Sequence, residues 1–329
     1  MLGIAIPAYK VSRNIKDTIN QLLIDLRFIE FLAVIVEDGC PENSASYLEN
    51  NDKRIHIIKS EHNYGVGYST LKGFNYLMKF NCTSLLKFDA DGQHNSKHIR
   101  DVYALSEKLR NNIEFKPFLI KGSRYEALSR GGVPIARRIG SMFIEPMARS
   151  AINYRNLSDI GNGMISLTKE SYCIMIKRHK INIEDRYLFE SSIIANAGLL
   201  NFEIYEFTMD RIYNKSIKSN MNEFKLIPSM LNLWIKTYFL RITENSFLKL
   251  GIRSLLLLIS LLSFFFSSVN YIFVIREINK LGNFITAGTA ALQLFFVICF
   301  LISTTLFFVS DYIKSQKTKK FITKNIYIE

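Results

Sequence analysis

The run Asp89-Ala90-Asp91-Gly92-Gln93-His94 directly follows the apolar stretch SLLKF. Two carboxylates at i and i+2, on a turn leaving a buried strand, can offer hard oxygen ligands to a divalent cation, with the Gln93 amide as a third. Magnesium or manganese (Mg2+ or Mn2+), bridged to a diphosphate, suits such a donor set. A calcium loop is disfavoured, because DADGQHNSKHIR has no Glu at its twelfth position and follows a strand where an EF-hand needs a helix. A solvated acidic turn is the plain alternative, yet a second acidic pair, Glu37-Asp38, ends a second apolar run, FLAVIV. An acidic side chain at a strand's carboxyl end can accept from a nucleobase N–H or a ribose hydroxyl. Taken alone, Asp38 reads equally well as a turn or helix-capping residue. Asn63-Tyr64-Gly65-Val66-Gly67 resembles a phosphate-cradling glycine loop, although it is neither a P-loop nor GxGxxG.

These residues must be positioned by alternating elements. GIAIP is followed by an amphipathic Asn14 to Leu26, then FLAVIVEDG, RIHIIKS, a helical Tyr68 to Lys79, SLLKFDADG, a helical Ser96 to Leu109, and FLIKGSR. Almost wholly apolar strands separated by helices predict an α/β domain with a mainly parallel sheet covered on both faces, over residues 1–222. Ligands of such sheets gather at the carboxyl ends of the strands, where both acidic pairs lie.

A different regime begins downstream. In IPSMLNLWIKTYFLRI, the side chains of Leu231, Trp234, Ile235 and Tyr238 recur at helical spacing beside Lys236 and Arg241, which predicts an interfacial amphipathic helix within residues 223–250. Twenty-two uncharged residues separate Arg253 from Arg276, and 30 separate Lys280 from Asp311. At about 1.5 Å of rise per residue each run crosses a hydrocarbon core about 30 Å thick, so residues 251–313 read as a two-helix transmembrane region. Neither run shows the polar face of a soluble helix. Lysines and arginines flank the outer ends of both runs, and residues 314–329 read as a basic tail; the positive-inside rule puts both flanks in the cytoplasm. MLGIAIP lacks the basic start and length of a signal peptide, which also keeps the N-terminal part cytoplasmic.

The 329 residues carry a formal net charge of +13, with 48% hydrophobic and 22% charged residues. Such a balance favours anionic partners. The basic residues cluster beside the apolar runs and form no aromatic-rich groove, so no nucleic acid is expected. Cys40, Cys82, Cys173 and Cys299 lie far apart with no CxxC pair and no His spacing suited to zinc, so neither a disulfide framework nor a structural metal site is signalled and a reducing compartment fits best.

The ordered set IPAY (6–9), VEDG (36–39), NYGVGYSTLKG (63–73), DADGQH (89–94) and KGSRY (121–125) resembles glycosyltransferase family 2. Within that family it is most similar to the polyprenyl-phosphate sugar transferases of the dolichol-phosphate mannose synthase type. The resemblance implies a GT-A fold, Rossmann-like, with a nucleotide-sugar donor (UDP- or GDP-sugar) and a divalent cation. By position it implies that Pro7, Ala8, Tyr9, Glu37, Asp38, Asn63 and Ala90 line the nucleotide site. Asp89, Asp91 and Gln93 would hold the metal and the donor diphosphate. Arg124, Arg137 and Ser141 would surround the phosphate of a polyprenyl phosphate acceptor, and Asp159 and Asn162 of NLSDIGNG would approach the sugar. Adjacent arginines in GGVPIARRIGS independently suit bidentate phosphate binding. Arg211, Lys215 and Lys218 of RIYNKSIK approximate a motif that closes over the diphosphate. The family's Asn-Glu after PxY is Lys10-Val11 here, and its Asp-Asp is Glu37-Asp38.

The implied reaction is inverting transfer of a sugar to undecaprenyl phosphate at the inner membrane, serving cell wall or lipopolysaccharide synthesis, with Asp89, Asp91 and Arg124 as the catalytic set. A phosphomonoester has its second pKa near about 6 and needs little help from a base. Transfer to a sugar hydroxyl of a lipid-linked glycan is the alternative, with Glu184, Asp185 or Glu190 as base; a non-catalytic membrane scaffold is a second. The QxxRW motif of processive synthases is absent, since the only tryptophan, Trp234, is not preceded by Arg. Two spans offer a small intramembrane surface on which a homo-oligomer could form.

Overall fold

The computed structural model describes residues 1–12, 14–48, 52–92, 94–112, 114–124, 135–209, 223–244, 251–281, 285–317 and 319–321. Two compact units form, residues 1–237 with 317–329, and residues 238–316.

The first unit contains, in chain order, β1 (Leu2–Ala8), α1 (Ile15–Asp25), β2 (Phe31–Asp38), β3 (Ile55–Ser60), α2 (Val66–Leu77), β4 (Ser84–Lys87), α3 (Lys97–Arg110) and β5 (Phe118–Ser123). Next come α4 (Ile135–Ile152), β6 (Tyr154–Arg155), β7 (Ile165–Thr168), α5 (Lys169–Arg178), α6 (Phe189–Leu199) and β8 (Glu203–Thr208). β1, β2 and β4 lie buried almost throughout, as their unbroken apolar runs require. β3 alternates from Ile55 onward because it is the edge strand. Ile15, Thr18, Ile19 and Leu22 of α1 repeat at three- and four-residue spacing and form its buried face. In α2 a Cβ on Gly73 would stand 2.8 Å from the Ala5 Cβ, so the glycine lets this helix lie directly on β1.

The main sheet has the order β10-β8-β5-β7-β4-β1-β2-β3, where β10 (Lys319–Phe321) follows the short β9 (Gln316–Lys317). All its strands run parallel except β7, which lies antiparallel between β4 and β5. The mainly parallel sheet expected from the sequence is therefore a mostly parallel mixed one. From β1 the chain proceeds through β2 to β3 on one side and then returns to β4 on the other. That reversal makes a crevice between the carboxyl ends of β1 and β4, the usual ligand position in open α/β sheets. Because β7 is reversed, its amino end, approached through Asn162 and Gly163, lies at the same edge as the carboxyl ends of its neighbours.

β10 lies within the segment expected as a basic tail. It adds parallel to β8 with Lys319 opposite Tyr205, and the Lys319 ammonium donates to Glu203 Oε2 at 2.9 Å.

α7 (Glu223–Ile242) runs from the first unit into the second. Its exposure differs from the expected lipid-facing stripe. Trp234 is fully buried beside Leu233 and Thr237, whereas Ile235 and Phe239, one turn apart, are exposed. The largest apolar side chain removes the most surface from water when it packs against protein, which turns the stripe.

The second unit is built on α8 (Ile252–Leu281) and α9 (Ala287–Ile313), both long and apolar enough to cross a membrane. Several polar side chains of these helices meet across the pair, while Ser268, Ser303 and Ser310 bond to carbonyls of their own helix. Ser260 and Thr304 hydroxyls lie 2.6 Å apart, Asn270 Nδ2 donates to Gln293 Oε1 at 3.1 Å, and Gln293 Nε2 donates to Ser267 at 3.0 Å. In hydrocarbon such pairs fasten helices that have no hydrophobic reason to associate. Phe264, Phe265, Phe273, Phe295 and Phe308 remain exposed, as lipid-facing residues would. At one end Asp311 accepts from Arg241 Nη1 at 2.7 Å and Nη2 at 2.9 Å, with Arg253 3.5 Å away.

Candidate active site

The edge is organised by two lysines that terminate or nearly terminate apolar strands. Lys87 closes β4 and is 1% exposed; its ammonium reaches Asp89 Oδ1 at 2.5 Å, Glu190 Oε1 at 3.0 Å and the Gly163 carbonyl at 3.1 Å. A buried ammonium is tolerable only when surrounded in this way. Burial alone would lower the Lys87 pKa, but the Asp89 and Glu190 carboxylates raise it well above the usual lysine range. Burial would raise Asp89, and Lys87, with His94 and Arg124 beyond it, holds it down. Glu190 stays above its ordinary value through burial, which Lys87 only partly offsets.

The turn after β4 is held by the start of α1. Asn14 Nδ2 donates to the Asp91 carbonyl at 3.0 Å and Thr18 Oγ1 to that of Ala90 at 3.4 Å. Gly92 completes the turn at φ +74°, a conformation that favours glycine. Asp91 is half-buried, and Gln93 lies outside the described residues. Among the described residues no three His, Cys, Asp or Glu side chains form a ready metal cage. A divalent cation nevertheless fits the donor chemistry, since Mg2+-type ions take one or two carboxylates and complete their shells with substrate phosphates and water.

Both acids at the end of β2 are already engaged. Glu37 accepts from the Ala45 N–H at 2.9 Å and pairs with Lys59 at 3.3 Å. Asp38 accepts from the N–H groups of Tyr64 at 3.0 Å and Gly65 at 2.7 Å. The carboxylate thus fixes the loop that contains Asn63, whose carbonyl in turn accepts from Arg186 at 3.2 Å. The glycine loop is not a phosphate cradle. Its next donors, the N–H groups of Gly67 and Tyr68, bond to the Asp185 carbonyl at 2.8 and 3.1 Å, and a Cβ on Gly67 would stand 2.2 Å from the Glu184 carbonyl. These glycines serve close backbone packing. Pro7 and Ala8 end β1 and Tyr9 follows it, with the Lys10 ammonium 5.4 Å from the Tyr9 ring centroid.

On the other side of the crevice, Lys121 is fully buried and donates to Glu206 at 3.1 Å and to the carbonyls of Ser158 at 2.5 Å and Gly122 at 3.1 Å. Glu206 also accepts from the Ser158 N–H at 2.7 Å and its hydroxyl at 2.9 Å. This network presents Asp159, which sits at φ +44°. Arg124 and Asp159, expected on the acceptor phosphate and on the sugar respectively, are bonded to each other. Arg124 Nε donates to Asp159 Oδ2 at 2.6 Å, Nη2 donates to Oδ1, and the Arg124 N–H donates to Oδ2 at 2.9 Å. Asn162 Nδ2 adds a bond to the same carboxylate at 3.1 Å. Arg137 and Ser141 belong to α4, but their side chains, like all of Arg211, Lys215 and Lys218, lie outside the described set.

Burial would raise the Asp159 carboxyl, and Arg124, with Lys121 and Asn162 behind it, holds it well below the carboxylate range. A folded pKa below the unfolded value of about 3.9 contributes stability above that pH and loses it as the pH falls towards the folded value. Asp159→Asn is therefore expected to be less stable than wild type at neutral pH, with the gap narrowing below about pH 4. Urea unfolding of both proteins across that range reads the difference; a gap independent of pH would show that the ionisation of Asp159 contributes nothing.

Sequence reasoning missed Lys87, Lys121, Glu206 and Gly163. A signal existed for the lysines, because SLLKF and FLIKGS each place one charge inside a run that must be buried on both faces.

The turn of paired carboxylates at the switch point coincides with a match of residues 3–126 to Glycosyl transferase family 2. This segment is a family 2 glycosyltransferase domain. A UDP-N-acetylglucosamine–dolichyl-phosphate N-acetylglucosaminyltransferase of Methanococcus voltae is 23% identical over 242 residues, covering 65% of this chain and 87% of that one. Glucosyl-3-phosphoglycerate synthase of Mycobacterium tuberculosis, solved with Mn2+, UDP and phosphoglyceric acid, superposes with a TM-score of 0.51 at 12% identity. The superposition covers 73% of this chain and 78% of that one. Its complex with Mn2+, UDP-glucose and phosphoglyceric acid gives 0.50 at 13% identity, over 73% and 79%. These similarities establish a GT-A fold for the glycosyltransferase domain.

Proposed function

We propose that the protein is a membrane-bound inverting glycosyltransferase that moves a sugar from a nucleoside-diphosphate sugar to polyprenyl phosphate. One observation carries the acceptor assignment. Every buried carboxylate described in the first unit is already committed: Glu190 to Lys87, Glu206 to Lys121, Asp159 to Arg124, Glu145 to Arg149, Glu37 to Lys59, and Asp38 to two backbone amides. Each of these groups could take a proton from a hydroxyl only at the expense of a pairing that the fold uses. A phosphomonoester, mostly dianionic at neutral pH, brings its own nucleophilic oxygen. The relative from Methanococcus voltae, named for a dolichyl-phosphate acceptor, supports the same reading.

In this mechanism Pro7, Ala8 and Tyr9 receive the nucleoside at the end of β1. Asp89 and Asp91, with Gln93, would hold Mg2+ or Mn2+ beside the donor diphosphate. When bound, the cation neutralises the charge that grows on the leaving group. Arg124, locked along one edge by Asp159, keeps a fixed orientation and with Arg137 and Ser141 aims the acceptor phosphate. The phosphate oxygen attacks the anomeric carbon opposite the leaving nucleoside diphosphate, inverting that centre. The family resemblance assigns Arg211 and Lys215, which lie outside the described residues, to the donor diphosphate.

The two apolar helices leave the first unit after α7, and the chain rejoins that unit's sheet at β10. Departure and return on one unit require an even number of crossings, which supports a two-span anchor with both flanks cytoplasmic. The natural setting is the inner membrane and the synthesis of cell-surface glycans.

Incubating the full chain in detergent with labelled UDP- and GDP-sugars, divalent cation and undecaprenyl phosphate should transfer label to the bare lipid phosphate. Label appearing only on a lipid-linked glycan would overturn the acceptor assignment in favour of hydroxyl chemistry by exposed Glu184 or Asp185. No transfer from any nucleotide sugar would leave the scaffold.

A further inference from the structure

The Asp89 carboxylate is confined on two sides by residues to which no role has been given. Lys87 holds Oδ1, and Lys87 is itself braced by Glu190 and by the Gly163 carbonyl. Oδ2 lies so close over Gly163 that a Cβ there would stand 2.0 Å from it and 3.1 Å from His94 Cε1. Gly163 is not among the glycines with positive φ, so its backbone does not demand glycine. The neighbouring Gly161 has nothing within 4 Å of a Cβ. Only the space that Asp89 and His94 fill accounts for a residue without a side chain at 163. Asp89 is meanwhile 28% exposed, so the clamped carboxylate still reaches solvent.

We infer that Lys87 and Gly163 are positioning residues for Asp89, the ammonium fixing one oxygen and the missing side chain seating the other. The inference rests on the reading of Asp89 as a ligand of the donor's cation. A carboxylate held in one orientation before the ion arrives loses little freedom on binding, whereas a displacement of about 1 Å can cost about a hundredfold in rate. Glu190 acts a step further back, by keeping Lys87 in place.

The test uses the full chain in detergent, with Mn2+ binding in the presence of UDP followed by electron paramagnetic resonance alongside steady-state transfer. Gly163→Ala is expected to weaken Mn2+ binding by about tenfold and to lower kcat/KM by about a hundredfold, while Gly161→Ala matches wild type. Lys87→Met should weaken Mn2+ binding in the wild-type background and add nothing in the Asp89→Asn background, because its effect passes through that carboxylate. A Gly163→Ala protein with wild-type Mn2+ affinity and rate overturns the inference, as does a Lys87→Met penalty that persists without the Asp89 charge. If Lys87→Met fails to fold, Gly163→Ala decides. A wild-type protein that holds no Mn2+ with UDP overturns the reading and the inference together. A wild type that holds it, matched by Gly163→Ala, overturns the inference alone.

Discussion

Asp91→Asn is expected to lower sugar transfer by about a hundred- to a thousandfold, the range seen when one charge-stabilising group is removed from an active site. The substitution leaves the turn intact. Asn14 bonds the Asp91 backbone carbonyl, Thr18 that of Ala90, and Gly92 supplies the left-handed residue, so none of these supports depends on the carboxylate. On the proposed mechanism the cation would lose a ligand, and raising the Mn2+ concentration should restore part of the rate. Transfer by the variant at several Mn2+ concentrations, beside its thermal unfolding, makes the measurement. Wild-type activity in a folded Asp91→Asn protein would remove the metal from the mechanism.

Lys121→Met has the largest expected effect on stability, a loss of about 3–5 kcal/mol, the penalty for breaking a buried ion pair by removing one partner. Three acceptors lose their donor at once: Glu206, the Ser158 carbonyl and the Gly122 carbonyl, in a place where Lys121 has no exposure. Adding Glu206→Gln removes the orphaned charge, so the double variant should recover part of the loss. Urea unfolding of the three proteins reads both steps. Because the same network presents Ser158 next to Asp159, the single variant should also slow transfer. A Lys121→Met protein as stable as wild type would mean that the network is dispensable.

The two variants probe different depths of the same edge. Asp91 is half-buried on a turn whose supports from Asn14 and Thr18 go to the backbone, whereas Lys121 is fully buried beneath the surface where substrates would bind. This layering accounts for the unequal visibility of the site. Carboxylates at the mouth occur in a short run directly after a strand, and their chemistry can be read from residue type and spacing. Their supports come from distant segments: Asp89 is held by residues 87, 163 and 190, and Asp159 by residues 124, 145 and 162. No local pattern links such positions, because what joins them is strand order.

The antiparallel β7 is the clearest instance. Ile165 to Thr168 reads as one more apolar strand, and its direction follows only from its place between β4 and β5, where it delivers Asn162 and Gly163 to the crevice. Asp38 gives the converse lesson. Taken alone its position at a strand end reads equally as a nucleotide contact or a cap, the family resemblance puts it in the nucleotide site, and in the fold its carboxylate accepts from the backbone of Tyr64 and Gly65.

Sequence alone determined what depends on neighbours along the chain: the alternation of buried strands and amphipathic helices, the acidic turn after β4, and two apolar runs of membrane length. Tertiary structure decided which charges cancel one another. Two lysines inside apolar strands, an arginine and four carboxylates reach the same edge, and their pairing reflects low-dielectric attraction between groups that are far apart in the chain and adjacent only after the sheet has formed.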